Sequence, residues 1–232
     1  MNTMPVQKKL TTYLKYLAKQ PQGFAYREDT KALSSTASKP QDPSSIVKSL
    51  AACYRNCTAC PLGTQGRTQV VFGTGNINAR LMFIGEAPGR DEDLQGVPFI
   101  GRAGQLLTKI IEAMGLQRDQ VYISNIVKCR PPENRTPLPN ERDTCKNLIL
   151  FKEIDAINPT IICTLGAPAT QGLLGDTIKI SEARGKLHYF KTYPVLPTYH
   201  PAYLLRNPSE KKTVWEDMQK IMLYLNDQQA VK

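Results

Sequence analysis

Leu81-Met-Phe-Ile-Gly-Glu-Ala-Pro-Gly89 opens with four apolar residues in a row and stops at a Gly/Pro turn. Such a run, bounded by turn residues, suits a strand buried on both faces. Leu106, Leu107, Ile110, Ile111 and Met114 then recur at helical spacing, predicting a helix from Ala103 to Met114 that Gly115 stops. Val121-Tyr-Ile-Ser-Asn-Ile-Val127 reads as a second strand. The alternation continues with a helix from Asn140 to Ile157 ended at Asn158-Pro159, a strand over 160–165 and a short helix over 167–174. A strand over 195–199 and a helix over 211–225, which carries the single tryptophan Trp215, complete it. Strands and helices in this order predict an α/β fold: a parallel sheet covered on both faces, with a ligand site beyond the carboxyl ends of the strands.

The composition, 41% hydrophobic and 22% charged over 232 residues, is that of a soluble globular chain with one good-sized domain and an appendage. No apolar run approaches the ~20 residues of a membrane span, and the N-terminus lacks a secretory leader's apolar core. These features predict a cytoplasmic protein with no membrane partner. The net charge of +10 points to a polyanion, nucleic acid first, or to a merely basic soluble protein. Half of that excess lies in residues 1–50, where eight Lys/Arg face three Asp/Glu. Val6, Leu10, Tyr13, Leu14 and Leu17 predict a short amphipathic helix there, and the Ser/Thr/Pro-rich residues 30–45 a flexible linker. Residues 1–50 thus read as a basic extension of unassigned partner, and 51–232 as the folded body.

Six cysteines in a cytosolic chain favour metal ligation or free thiols over disulfides. Cys163 sits in an apolar run and reads as a buried free thiol. Cys57-Thr-Ala-Cys60-Pro, completed by Cys129 and Cys145, has the form of a four-cysteine metal site. Cys53 competes with Cys57 and Cys60 for a place in it, and spacing alone allows zinc or iron–sulfur.

Three strand ends carry chemistry. The turn Gly85–Gly89 and the loop Gly96-Val-Pro-Phe99-Ile-Gly101-Arg-Ala-Gly104 bring backbone amides and an aromatic ring to the end of the first strand. Asn125, four residues before Cys129, ends the second strand. His200, one of two histidines, stands before Pro201 after the last strand, a poor place for a core histidine. An aromatic plane, an amide and an imidazole together suit a flat, hydrogen-bonding ligand such as a nucleobase.

These motifs, with Cys57-x2-Cys60-Pro-Leu-Gly, Gly85-Glu-Ala-Pro-Gly-Arg-Asp-Glu92-Asp, Asn125-Ile-Val-Lys-Cys129-Arg-Pro-Pro, Cys145 and His200-Pro-Ala-Tyr in order, resemble the family 4, iron–sulfur type of uracil-DNA glycosylase. The resemblance runs from about Cys57 to Trp215 and leaves residues 1–50 outside. It implies a central four-stranded parallel sheet flanked by helices, and a 4Fe–4S cluster on Cys57, Cys60, Cys129 and Cys145. It also implies a monomeric base-excision repair enzyme of the prokaryotic nucleoid, acting on uracil in single- or double-stranded DNA. A non-catalytic iron–sulfur or zinc protein, binding DNA or sensing redox state, is the alternative.

On that resemblance each site residue takes a role. Asn125 accepts from uracil N3–H and donates to O4, where cytosine would leave both groups unpaired. Phe99 stacks on the flipped base, backbone around Glu86 and Ala87 fixes its O2 side, and His200 stabilises the charge developing on the leaving base. Ala87 stands where the best-known glycosylase class has a water-positioning aspartate, so the role passes to Glu92, with Glu86 behind it. Gly89 replaces that class's thymine-excluding tyrosine, which leaves exclusion to another residue, with Glu92 the first choice. Leu204, beside Leu205 and Arg206, is either a wedge into the base stack or a core residue. Lys128, Arg130, Arg135 and Arg102 are either phosphate contacts or solvated charges. Cys129–Arg135 runs on without the basic, DNA-trapping insertion of a related branch, which predicts turnover.

Overall fold

The computed structural model describes residues 42–228. The helix expected within residues 5–20 and most of the linker expected over 30–45 lie outside them. Helices are Pro43–Tyr54 (α1), Arg90–Gln95 (α2) and Arg102–Ala113 (α3). Pro139–Cys145 (α4) runs through a π-helical turn, Lys146–Leu150, into Phe151–Ile157 (α5). Ala167–Leu174 (α6), Ile180–Ala183 (α7), Pro201–Arg206 (α8) and Lys211–Asp227 (α9) follow. Strands are Thr74–Gly75 (β1), Leu81–Gly85 (β2), Tyr122–Asn125 (β3), Ile161–Leu165 (β4), His188–Phe190 (β5) and Tyr193–Thr198 (β6).

The sheet order is β1-β3-β2-β4-β6-β5. Its four central strands are parallel, as expected, and the short β1 and β5 add antiparallel edges. Strands of two or three residues carry no readable alternation, which is why these edges were not anticipated. Every residue of β2, β3 and β4 is buried, in keeping with a parallel sheet covered on both sides. Alternation along the strands splits the core in two. Met82, Ile84, Tyr122 and Ile162 face one layer with Ile149, Ile154 and Leu173 of the π-turned helix and α6. Leu81, Phe83, Ile123 and Cys163 face the other with Leu107, Ile111, Leu204 and Met218 of α3, α8 and α9. The α4–α5 helix stops at Asn158, whose φ of 48° ends it in the left-handed conformation just before Pro159.

Helix α1 was not expected. It starts with Pro43 inside the stretch read as linker and straddles the boundary placed at residue 50, with Val47 and Tyr54 packed on the first core layer. Strand β3 ends earlier than expected, at Asn125. Beyond it the Ile126 and Val127 N–H groups still donate to the carbonyls of Gly85 and Glu86, at 2.9 and 3.2 Å, so the turn after β2 is locked to the end of β3.

Candidate active site

Parallel pairing brings the carboxyl ends of β2, β3, β4 and β6 to one edge of the sheet, and Phe99, Asn125 and His200 meet there. Gly85 and Asn125 are register partners. A Cβ at Gly85 would lie 2.4 Å from Phe99 Cζ and 2.5 Å from Asn125 Oδ1, so only glycine keeps the space between ring and amide open. The Phe99 ring centroid lies 5.6 Å from that of His200. Phe99 has a φ of 53°, a left-handed conformation that costs a non-glycine residue about 1–2 kcal/mol. Gly104 makes room for the turn, because a Cβ there would lie 1.9 Å from the Phe99 carbonyl.

Asn125 is 2% exposed, and its Oδ1 has no hydrogen-bond partner within the protein. A buried amide oxygen left alone costs roughly 1–3 kcal/mol, so this acceptor is set for a ligand. His200 caps the N-terminus of α8: its Nδ1 accepts from the Ala202 N–H at 3.1 Å. That bond leaves the proton on Nε2. Burial, helped by the Arg206 charge, lowers the His200 pKa to about 4. The imidazole is therefore a neutral N–H donor near pH 7.

The two glutamates differ. Glu92 Oε1 accepts from the Ile100 and Gly101 N–H groups at 3.0 and 2.9 Å, and Oε2 from Gly89 at 3.1 Å. Its carboxylate clamps the Phe99 loop onto the Gly85–Gly89 turn, which takes it away from the water-activating and thymine-excluding roles expected of it. Burial raises the Glu86 carboxyl above the ordinary carboxylate range, opposed by a hydrogen bond from Thr136 and the Arg142 charge. The Glu86 carbonyl is taken by Val127. Ala87 is half-buried, packed on the first core layer.

Two expected DNA contacts are corrected. Lys128 is fully buried, its Nζ 2.6 Å from Glu153 Oε2 and 2.9 Å from the Asn125 carbonyl, and cannot reach a phosphate. Leu204 is 1% exposed in the second core layer, whereas Leu205 is 41% exposed beside Arg206. Any apolar wedge from this turn is therefore Leu205. Arg135 grips Glu141 with both terminal nitrogens, at 2.8 and 2.7 Å, and Arg130 Nε donates to Asn134 Oδ1 at 2.8 Å. Both therefore brace the 130–141 loop, while Arg102 and Arg206 are exposed.

Cys57, Cys60, Cys129 and Cys145 line one cavity, with Val70, Leu148 and Ile149 around them. Cys53 is exposed and does not line it, and Cys163 is buried in β4. Arg67 Nη1 donates to Cys129 Sγ at 3.3 Å and to the Cys57 carbonyl at 2.6 Å, and the Lys128 N–H donates to Cys145 Sγ at 3.3 Å. Among the described residues no three His, Cys, Asp or Glu close around a single ion. Zinc would need its thiolates drawn in to about 2.3 Å. The four thiols on one cavity, with N–H donors on two of the sulfurs, are a donor set that could hold either zinc or an iron–sulfur cluster.

Residues 72–219 match the model of the uracil DNA glycosylase superfamily. A type-4 uracil-DNA glycosylase of Thermotoga maritima is 45% identical over 175 residues, 74% of this chain and 90% of that protein. The chain belongs to the type-4 uracil-DNA glycosylase family. A type-4 enzyme of Sulfurisphaera tokodaii is 46% identical, over 72% of this chain and 79% of that protein. A type-5 uracil-DNA glycosylase of Pyrobaculum aerophilum shares less, 32% over 64% of this chain. In family terms, the strand-end slot of Gly85, Phe99, Asn125 and His200 is the candidate glycosylase pocket. Sequence reasoning missed Glu153, the partner of Lys128, although it was findable. It falls on the buried stripe of its helix, four residues after Ile149 and four before Ile157, and a buried acid demands a partner.

Proposed function

We propose that the protein excises uracil from DNA, binding the extruded base in the slot between Phe99 and Asn125 and hydrolysing its glycosidic bond to leave an abasic site. The observation that carries this reading is the buried, unpartnered Asn125 Oδ1 beside a space only glycine leaves open. In that slot Oδ1 accepts from uracil N3–H, Nδ2 donates to O4, and the Phe99 ring stacks on the base. The neutral His200 donates from Nε2 to O2 as negative charge develops there. Glu86 orients the water that attacks the sugar. Cys57, Cys60, Cys129 and Cys145 would hold a 4Fe–4S cluster, whose contribution when bound is a structural cross-link and no step of the cleavage. Among the described residues no helix is long and apolar enough to cross a membrane. The test is incubation with uracil-containing oligonucleotides, single- and double-stranded, followed by alkali. Scission at the uracil position is expected, and intact strands would sink the proposal.

Gly85→Ala places a methyl group against Phe99 and Asn125. Overpacking of this kind costs about 1–3 kcal/mol, borne here by the two groups that hold the base. Excision is expected to fall about 10–100-fold with the fold retained; single-turnover rates and a thermal melt measure both.

His200 gives a pH signature. Its folded pKa of about 4 lies below the ordinary 6.5, so between these values the unfolded chain takes up a proton that the folded one refuses. The stability from a neutral His200 is complete above about pH 6.5 and is lost as pH falls toward 4. Excision should accordingly show no inflection at pH 6.5 from this residue; a His200-dependent limb there, absent in His200→Ala, would contradict the neutral-donor role.

A further inference from the structure

Antiparallel β1 pairs with β3 only at Tyr122 and Ile123. Backbone groups of alternate residues point to opposite neighbours, and the Ile126 N–H turns toward β2. The Asn125 carbonyl therefore points to the β1 side, one rung past the last pair. At that level the register of β1 places Phe72, whose N–H makes no hydrogen bond to that carbonyl, and the neighbouring Gly73 N–H donates to Glu153 Oε1 at 3.0 Å. The Lys128 ammonium occupies the space, donating to the Asn125 carbonyl at 2.9 Å, to Glu153 Oε2 at 2.6 Å and to Ser124 Oγ. Ser124 Oγ donates in turn to Glu153 Oε2 at 2.8 Å.

All three N–H donors of Lys128 are used, and both Glu153 oxygens accept. Lys128 and Glu153 are 0% and 1% exposed. A buried ion pair is weak support for stability, since well-packed apolar residues commonly replace it at no loss. Its geometry is specific, however. It substitutes for the missing rung of the ladder at a residue whose side chain carries an orphan acceptor, Asn125 Oδ1. The Lys128 N–H also reaches Cys145 Sγ, so the same residue joins the amide to the thiol quartet.

We infer that the Lys128–Glu153 pair is an ionic rung that holds Asn125 in its base-reading pose, making Lys128 a positioning residue for uracil recognition. The inference rests on the reading of Asn125 as the uracil reader. Lys128 touches neither base nor phosphate. It acts through the Asn125 backbone, and misplacement of such a group by about 1 Å costs on the order of 100-fold.

The test compares the parent with Lys128→Met, with Lys128→Met/Glu153→Gln, which removes both charges and keeps an acceptor for Gly73, and with Asn125→Ala. Two oligonucleotides serve as probes: one carries uracil on a 2′-fluorinated sugar that resists cleavage, the other an abasic analogue at the same position. Each variant is assayed well below its melting temperature. In both Lys128 variants kcat/KM should fall about 100-fold, and the preference for the uracil probe over the abasic probe should shrink, with abasic affinity and its salt slope unchanged. A preference equal to the parent's in either folded variant, with only the melting point lowered, would overturn the inference by making the pair merely structural. Loss of abasic affinity with a shallower salt slope would overturn it in favour of phosphate contact. If Asn125→Ala itself keeps the full preference, the reading of Asn125 fails; if it loses the preference and the Lys128 variants do not, the rung alone fails.

Discussion

Asn125→Asp is expected to slow uracil release by about a thousandfold while the protein stays folded. The substitution is nearly isosteric, so the slot keeps its shape and the cost is electrostatic. The Nδ2–H donor to uracil O4 becomes an acceptor facing an acceptor, in a position 2% exposed to solvent. Each unsatisfied buried group costs roughly 1–3 kcal/mol, and more if charged. Two mispaired groups at about 2 kcal/mol each give about 4 kcal/mol, close to a thousandfold in rate. Sites built to pair with a polar group reject its loss by on the order of 10⁴ or more, so the figure is conservative. Single-turnover excision from a uracil oligonucleotide measures it, with a thermal melt as control. A rate within tenfold of the parent would remove Asn125 from the reading role.

Cys145→Ser should be more damaging to the body than to the chemistry. The thiol is buried between the end of α4 and the Lys128 backbone, and its partners Cys57 and Cys60 lie at the far end of the sequence that the cavity gathers. Structural metal sites contribute on the order of 10 kcal/mol in small domains, against a total stability of about 5–15 kcal/mol for an ordinary one. The variant is expected to lose the broad visible absorbance of an iron–sulfur protein and to melt at least 10 °C lower, at about 2–4 °C per kcal/mol for this size. Stripping the proposed cluster from the parent with an iron chelator should do the same. Excision by the intact protein should proceed equally in oxidant and in reductant, because the four thiols line a cavity separate from Phe99 and Asn125. A colourless variant with the parent's melting point would show that the thiols carry no structural group.

The sequence displayed the site better than it displayed the scaffold behind it. Phe99, Asn125 and His200 could be picked out because strand ends are readable: an apolar run stops and a polar or turn residue follows. The relation between neighbouring residues was harder. Leu204 and Leu205 are adjacent, and a helix of six residues is too short for periodicity to say which faces inward. Lys128 sits near Arg130 and Arg135 in sequence and reads there as one more surface charge. Its burial depends on Glu153, 25 positions away, and such pairings are fixed only once the helix docks on the sheet. Glu92 misled for a similar reason. A carboxylate in a Gly-rich loop suggests catalysis until its backbone donors, some eight or nine residues on, are in view. Helix α1 was hidden by the Ser/Pro composition of its first turn, although Pro43 at that position favours a helix start.

The slot also has one fixed wall and one adjustable wall. Gly85 and Asn125 face each other across adjacent strands, whose spacing of about 4.8 Å is set by backbone hydrogen bonds and hardly varies between proteins. The opposite wall is a loop residue in an unfavourable backbone conformation, secured by the Glu92 clamp and the room left by Gly104. Attempts to re-engineer this pocket for larger damaged bases would therefore gain little by trimming the sheet side. The productive library is the loop 96–104 together with its clamp, where relaxing Phe99 releases strain instead of creating it.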